Sequence, residues 1–197
     1  MSEPLTLRAR VGVGLFGKLP ARGDFVRLGL PDSFVAPWDA WCQRVLAGSR
    51  ERLGAAWLKT WLGAPVWRFA LPAGQCGPNA ALGLILPSVD RVGRYFPLTL
   101  AMVAEATTAA NLLAAADHFL AAAEKAGLAA LERDLPPDAV RAGLASVAAE
   151  VAEARAPCAD EQARWWRAPH AGENPADAVM TLDSLPDPGR FTAMICA

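Results

Sequence analysis

Beyond Pro65 the hydrophobic pattern of this chain changes period, and that change restricts the fold more than any other feature. Trp67, Phe69 and Leu71 alternate with Arg68 and Ala70, the pattern of a strand with one buried face. Residues 82–86 then form a nearly continuous apolar run bounded by Pro78-Asn79 and Pro87, and residues 95–103 supply a third extended segment. Three such neighbours predict an antiparallel meander with Leu84 in its central strand and the loops at 74–79 and 88–94 at opposite ends.

Around this block the period is helical. Residues 11–16 read as a first strand, because the apolar run after Arg8 and Arg10 is too short for a signal peptide and lacks a small-residue cleavage site. Asp32 or Ser33 is placed to cap a helix whose apolar face carries Phe34, Trp38, Trp41, Val45 and Leu53. Trp57, Leu58, Trp61 and Leu62 form a second, shorter apolar stripe that stops at Gly63-Ala64-Pro65. From Thr107 or Thr108 one helix is expected through Leu112, Ala116, Phe119, Leu120, Ala123, Leu128 and Leu131, ending at Pro136-Pro137. Another is expected over 138–155, with Val140, Leu144, Val147 and Val151 on one face. Trp165 and Trp166, read as one helical turn within 162–167, cannot both point inward, which makes one of them a candidate surface anchor. Residues 178–182 and 191–196 read as edge strands returning to the sheet. The expected fold is mixed α/β: a mainly antiparallel sheet packed with helices in a layered sandwich. A single domain over 1–197 is expected, with a motif-bearing part, 1–104, and an Ala-rich helical part with returning strands, 105–197.

At 197 residues the chain has room for one substantial core but not for two full domains. Its net charge of −1 conceals an asymmetry: residues 1–104 carry 12 Lys+Arg against 6 Asp+Glu, and residues 105–197 carry 7 against 14. Either the halves neutralise each other in the fold or the basic half meets an acidic partner. Clustered Lys/Arg interleaved with aromatics are missing, which argues against nucleic acid. No apolar segment reaches the ~20 residues a membrane span needs. Cys42, Cys76, Cys158 and Cys196 are widely spaced without a CxxC pair and read as reduced thiols of a cytoplasmic protein.

Two loops concentrate the chemistry: Gly17-Lys18-Leu19-Pro20-Ala21-Arg22-Gly23-Asp24-Phe25, and 87–97 with Ser88, Asp90, Arg91, Arg94 and Tyr95. The first lacks the GxxxxGK[ST] order of a phosphate-binding loop. Its bland reading is that Gly17 and Gly23 bend the backbone while Asp24 caps the next turn. In the second, Asp90 between arginines either is an internal ion pair that fixes the loop and bridges to Arg22 or Asp24, or leaves the guanidinium groups outward for a carboxylate or phosphate. His118 and His170 belong to no nucleophile–base pattern, and paired carboxylates are limited to Asp24 and Asp90. No element shows convincing metal-ligand spacing. Trp38, Trp41, Trp57, Trp61 and Trp67 fall on apolar stripes and belong in the core.

The stretches GLFGKLPARGDFVRLGLP, FVAPWDAWCQRVL, APVWRFAL, CGP and ILPSVDRVGRYFPLTL, in this order, resemble the TagF (ImpM) family of bacterial type VI secretion. The resemblance implies a cytoplasmic α/β accessory protein without established enzymatic activity, which represses secretion post-translationally. It further implies binding of the system's forkhead-associated scaffold protein, within a threonine-phosphorylation pathway that includes a kinase and a PppA-type phosphatase. This chain has neither the room nor the aspartate motifs for a fused phosphatase, so that enzyme is expected as a separate partner. Lys18, Arg22, Asp24, Asp90, Arg91 and Arg94 are the candidate partner-binding residues; no catalytic, metal or cofactor-binding residue is assigned, and no cofactor is expected. The alternative is an enzyme or phospho-ligand binder with Arg22, Arg91 and Arg94 around an anion and Asp24 or Asp90 as the acid–base or metal-bridging group. A third reading has the loops merely locking the fold.

Overall fold

The computed structural model describes residues 11–114, 116–133, 135–152 and 162–197. Seven strands form one antiparallel sheet: β1 (Val11–Gly17), β2 (Val26–Leu28), β3 (Trp67–Leu71), β4 (Ala80–Leu86), β5 (Leu98–Ala104), β6 (Ala163–Trp166) and β7 (Val179–Leu182), in the order β2-β1-β5-β4-β3-β6-β7. The meander β3-β4-β5 is present, and Leu84 sits in β4, the middle strand of the seven. Among the described residues six α-helices accompany the sheet: α1 (Asp32–Leu53), α2 (Trp57–Gly63), α3 (Ala109–Leu113), α4 (Ala116–Glu132), α5 (Pro137–Ala152) and α6 (Pro188–Ile195).

Helices cover both faces. On one, Phe34, Trp38, Trp41, Val45, Trp57, Trp61, Phe191, Met194 and Ile195 of α1, α2 and α6 pack on Trp67, Phe69, Leu71, Ile85, Val103 and Trp165. On the other, Leu112, Phe119, Leu120, Ala123, Ala130, Val140 and Leu144 of α3, α4 and α5 pack on Val13, Leu15, Leu82, Leu84, Leu86, Leu98 and Leu100. This two-sided burial is why β4 and β5 read as unbroken apolar runs. It also corrects the one-faced reading of β3, since Ala70 is buried in the second layer and Arg68 is only partly exposed there, pairing with Glu124 of α4.

Local chemistry accounts for the other departures. Neither Asp32 nor Ser33 caps α1: Pro31 occupies the cap position, no side chain caps it, and Asp32 pairs with Arg27 instead. The helix expected from Thr107 is two, α3 and α4, with Ala114 turning between them. The Thr108 hydroxyl accepts the Asn111 amide (3.2 Å) to start α3. Thr108→Ala is expected to cost about 1 kcal/mol, a fall of roughly 2–4 °C in a thermal melt. Leu128 is exposed, and Gly127 and Ala130 face the sheet instead. A Cβ on Gly127 would stand 2.9 Å from Leu86 and 3.1 Å from Leu100, so glycine lets α4 seat closely on β4 and β5. Arg155, where the next helix was expected to end, lies outside the described residues. On α2, Trp57 and Trp61 are buried while Leu58 and Leu62 face outward.

Residues 163–166 are strand, not helix, so alternation sends Trp165 into the tryptophan layer and Trp166 to the opposite one. Trp166 is half-buried there and is not the free surface anchor that a helical turn implied. Residues 179–182 are an edge strand as expected, whereas 188–195 are helical. Asp187 accepts the Arg190 amide (2.8 Å) and Pro188 opens the helix, after which Phe191, Met194 and Ile195 follow helical spacing.

Candidate functional site

The two charged loops meet at one end of the sheet, because antiparallel pairing places the end of β1 beside the start of β5. Gly17 turns the chain there with φ +133°, and a Cβ on it would lie 2.0 Å from the Pro97 carbonyl oxygen. Only glycine fits this junction. Gly23 has no such constraint, and Asp24 makes no side-chain hydrogen bond among the described residues, so the capping role read for it is absent.

Asp90 holds the loops together. Its side chain is fully buried, its Oδ2 accepts from Lys18 Nζ and from Arg94 Nε (2.6 Å), and its Oδ1 accepts the amides of Arg94 (2.8 Å) and Val92 (3.1 Å). Arg94 also donates to the Gly23 carbonyl, the Ser88 hydroxyl donates to the Lys18 carbonyl (2.6 Å), and the Arg91 amide donates to the Arg22 carbonyl (3.0 Å). Burial raises the Asp90 pKa, but the hydrogen bonds from Lys18, Arg94 and Val92 outweigh it and hold the carboxyl well below the usual range. Lys18 is itself only 4% exposed and lies 4.5 Å from the centre of the Phe25 ring. Phe25 stacks on Phe16 and meets Phe96 edge-on, with ring centroids 5.8 and 4.8 Å away.

The six candidates therefore divide. Lys18 and Asp90 are internal, joined by Arg94, whereas Arg22, Asp24 and Arg91 are exposed. The bridge runs from Asp90 to Lys18 and Arg94, not to Arg22 or Asp24. An open depression of about 370 Å³ lies where the loops meet, lined by Arg22, Asp24 and Phe25 of the first, Val26 of β2 and Arg91 of the second. With its carboxylate taken up by four donors, Asp90 is unsuited to act as a base, and it does not line this depression. Phe25 and Phe96 were given no role from sequence; the aromatic residue bordering each charged run was the available signal.

Elsewhere, His118 and His170 are exposed. Arg167 is buried and grips Glu173 through two hydrogen bonds (2.6 and 2.7 Å), holding that carboxyl down to about 2. Cys42, Cys76 and Cys196 are free thiols, the first two buried, and burial pushes Cys76 up to about 12; Cys158 lies outside the described residues. Among the described residues no three His, Cys, Asp or Glu side chains are grouped to hold a metal, and no helix is long and apolar enough to cross a membrane. Of the five ion pairs among those residues only Arg68–Glu124 joins the basic half to the acidic one. Pairing with the acidic half thus does little to neutralise the basic loops.

A helix-covered antiparallel sheet with two loops fastened through a buried carboxylate places the chain in the mixed α/β class. Residues 14–147 match the model of the TagF N-terminal domain, type VI secretion system-associated, and the chain belongs to that family. Its fold is similar to the crystal structure of PA0076 from Pseudomonas aeruginosa PAO1, with a TM-score of 0.75 and 32% identity over 93% of this chain and 94% of that one. No curated protein matches it in sequence. The protein is a type VI secretion-associated accessory protein.

Proposed function

We propose that this protein works in the cytoplasm as a post-translational brake on type VI secretion, binding the system's forkhead-associated scaffold protein through the face formed by its two loops. Arg22, Asp24, Arg91 and the outer edge of Arg94 supply the contacts, while Lys18 and Asp90 hold them in position. A separate PppA-type phosphatase and a threonine kinase set the signalling context in which the brake acts. The observation that carries the reading is the unpaired state of Arg22 and Arg91: among the described residues neither guanidinium has a hydrogen-bond or ion-pair partner, although the network beside them is densely bonded. Exposed, unpaired guanidinium groups are suited to recognising a partner.

Reversing both charges, Arg22→Glu with Arg91→Glu, is expected to leave the circular dichroism spectrum and melting temperature near wild type. Retention of the purified scaffold should fall at least about tenfold, and secretion should rise in cells carrying the variant. Unchanged retention together with unchanged secretion would rule out this face as the contact surface.

A further inference from the structure

The depression between the loops has a composition that narrows what fits it. Arg22 and Arg91 lie 69 positions apart in sequence yet are clasped by the backbone hydrogen bond from the Arg91 amide to the Arg22 carbonyl (3.0 Å). The Arg91 guanidinium lies over Gly23, with Nη2 3.5 Å from where a Cβ would stand. Two arginines thus line one depression without an ion-pair partner among the described residues, an arrangement that favours an incoming anion. Phe25, 48% exposed, lines the same depression, and Val92, 66% exposed, projects from the second loop one residue beyond Arg91. Phe25 supplies apolar area within the depression, and Val92 supplies it at the next position of the second loop. Asp24 also lines the depression and is exposed, so it opposes a doubly charged phosphate more strongly than a single carboxylate.

We infer that this depression is a docking site for a glutamate or aspartate side chain of a partner protein, with an adjacent apolar side chain of that partner resting on Phe25 and Val92. The inference rests on the binding role proposed above and specifies the chemistry it reads. Arg22 and Arg91 grip the carboxylate, Asp24 selects against phosphate, and the Asp90 network fixes the spacing of the two arginines.

The test is made on the full chain with a fluorescein-labelled hexapeptide of four glutamates and two leucines, followed by anisotropy at about 50 mM and about 300 mM salt. Wild type is expected to bind at low salt and to weaken markedly at high salt. Arg22→Ala with Arg91→Ala should weaken binding at least about tenfold and flatten the salt dependence. Val92→Asp should weaken it about threefold or more, and Leu128→Asp on α4 should change nothing. Equal binding by wild type and the double variant, or none by wild type, overturns the site. So does a more than tenfold preference for the same peptide with phosphoserine in place of glutamate, since the occupant is then a phosphate. Self-association of wild type that the double variant abolishes also overturns it, the occupant then being a second copy of the chain. A second arm titrates the scaffold protein with and without the hexapeptide. Peptide binding as expected, with no scaffold binding, keeps the carboxylate site and removes the scaffold as its partner.

Discussion

Trp38→Ala is expected to destabilise the fold by about 4–6 kcal/mol, enough to lower a melting temperature by 10 °C or more. Trp38 is fully buried in α1 and lies at the centre of the tryptophan layer, with Phe34, Trp41 and Phe69 at centroid distances of 5.2, 4.7 and 4.8 Å and Trp165 stacked at 6.2 Å. Its indole N–H donates to the Thr99 hydroxyl of β5 (2.8 Å), and Thr99 is completely buried. Alanine opens a cavity among four aromatic rings and also removes a partner from that hydroxyl. Trp38→Phe retains most of the ring contacts and loses the hydrogen bond, so it should cost only a third or so as much. Chemical denaturation of the three proteins separates the two effects. A Trp38→Ala loss no larger than that of Trp38→Phe would mean that the layer repacks and that Trp38 is not its centre.

Asp90→Ala is expected to come next, lowering the melting temperature by on the order of 10 °C and exposing the loop end to protease. It leaves Lys18 buried without a counter-charge and frees Arg94 and the amides of Val92 and Arg94. Adding Lys18→Met to Asp90→Ala should recover part of the loss, because the stranded charge is then gone; additive losses would show that the pair is not coupled. The pH dependence follows from the sign of the shift. Asp90 titrates lower in the folded chain than in the unfolded one, so its stabilisation is complete above the ordinary carboxylate range near pH 4 and is lost as pH falls below it. Glu173, held down to about 2 first by its hydrogen bond from Arg167, acts in the same direction between about pH 4.5 and 2. Asp90→Asn should therefore start less stable at pH 7 and lose less on acidification than wild type. Parallel losses would show that Asp90 does not set the acid limit.

The sheet was legible where strands are long and flanked by strong breaks: β1, β3, β4 and the body of β5 stand out because Gly, Pro and charged loops delimit them. Of the short elements α2 and β7 were read correctly and β2, β6 and α6 were not. β2 spans only three residues, the adjacent tryptophans of β6 mask its alternation, and α6 was mistaken for a strand because its apolar residues cluster at one end. The Asp187-Pro188 pair held the helix-start signal that hydrophobicity alone obscured. At the candidate site, composition marked both loops but could not separate the residues facing inward from those facing outward. Lys18 and Arg22 look equivalent in sequence, and only a contact spanning 72 residues, from Lys18 to Asp90, makes one internal and leaves the other free. Burial of a lysine depends on where a distant carboxylate arrives, which local sequence does not encode.

The way the tryptophan layer is closed bears on how the chain emerges from a ribosome. Trp41 donates to the Pro186 carbonyl (2.7 Å) and Trp67 to that of Met194 (2.9 Å), while Trp165 and Phe191 pack on Trp41. α1 and β3 are therefore synthesised long before the segment that covers them and accepts their indole protons. Until residues 163–195 are available, a broad aromatic surface stands open, so this face sets late and by contacts remote in sequence rather than progressively from the N-terminus. The nascent chain carries its most adhesive surface for most of its own synthesis.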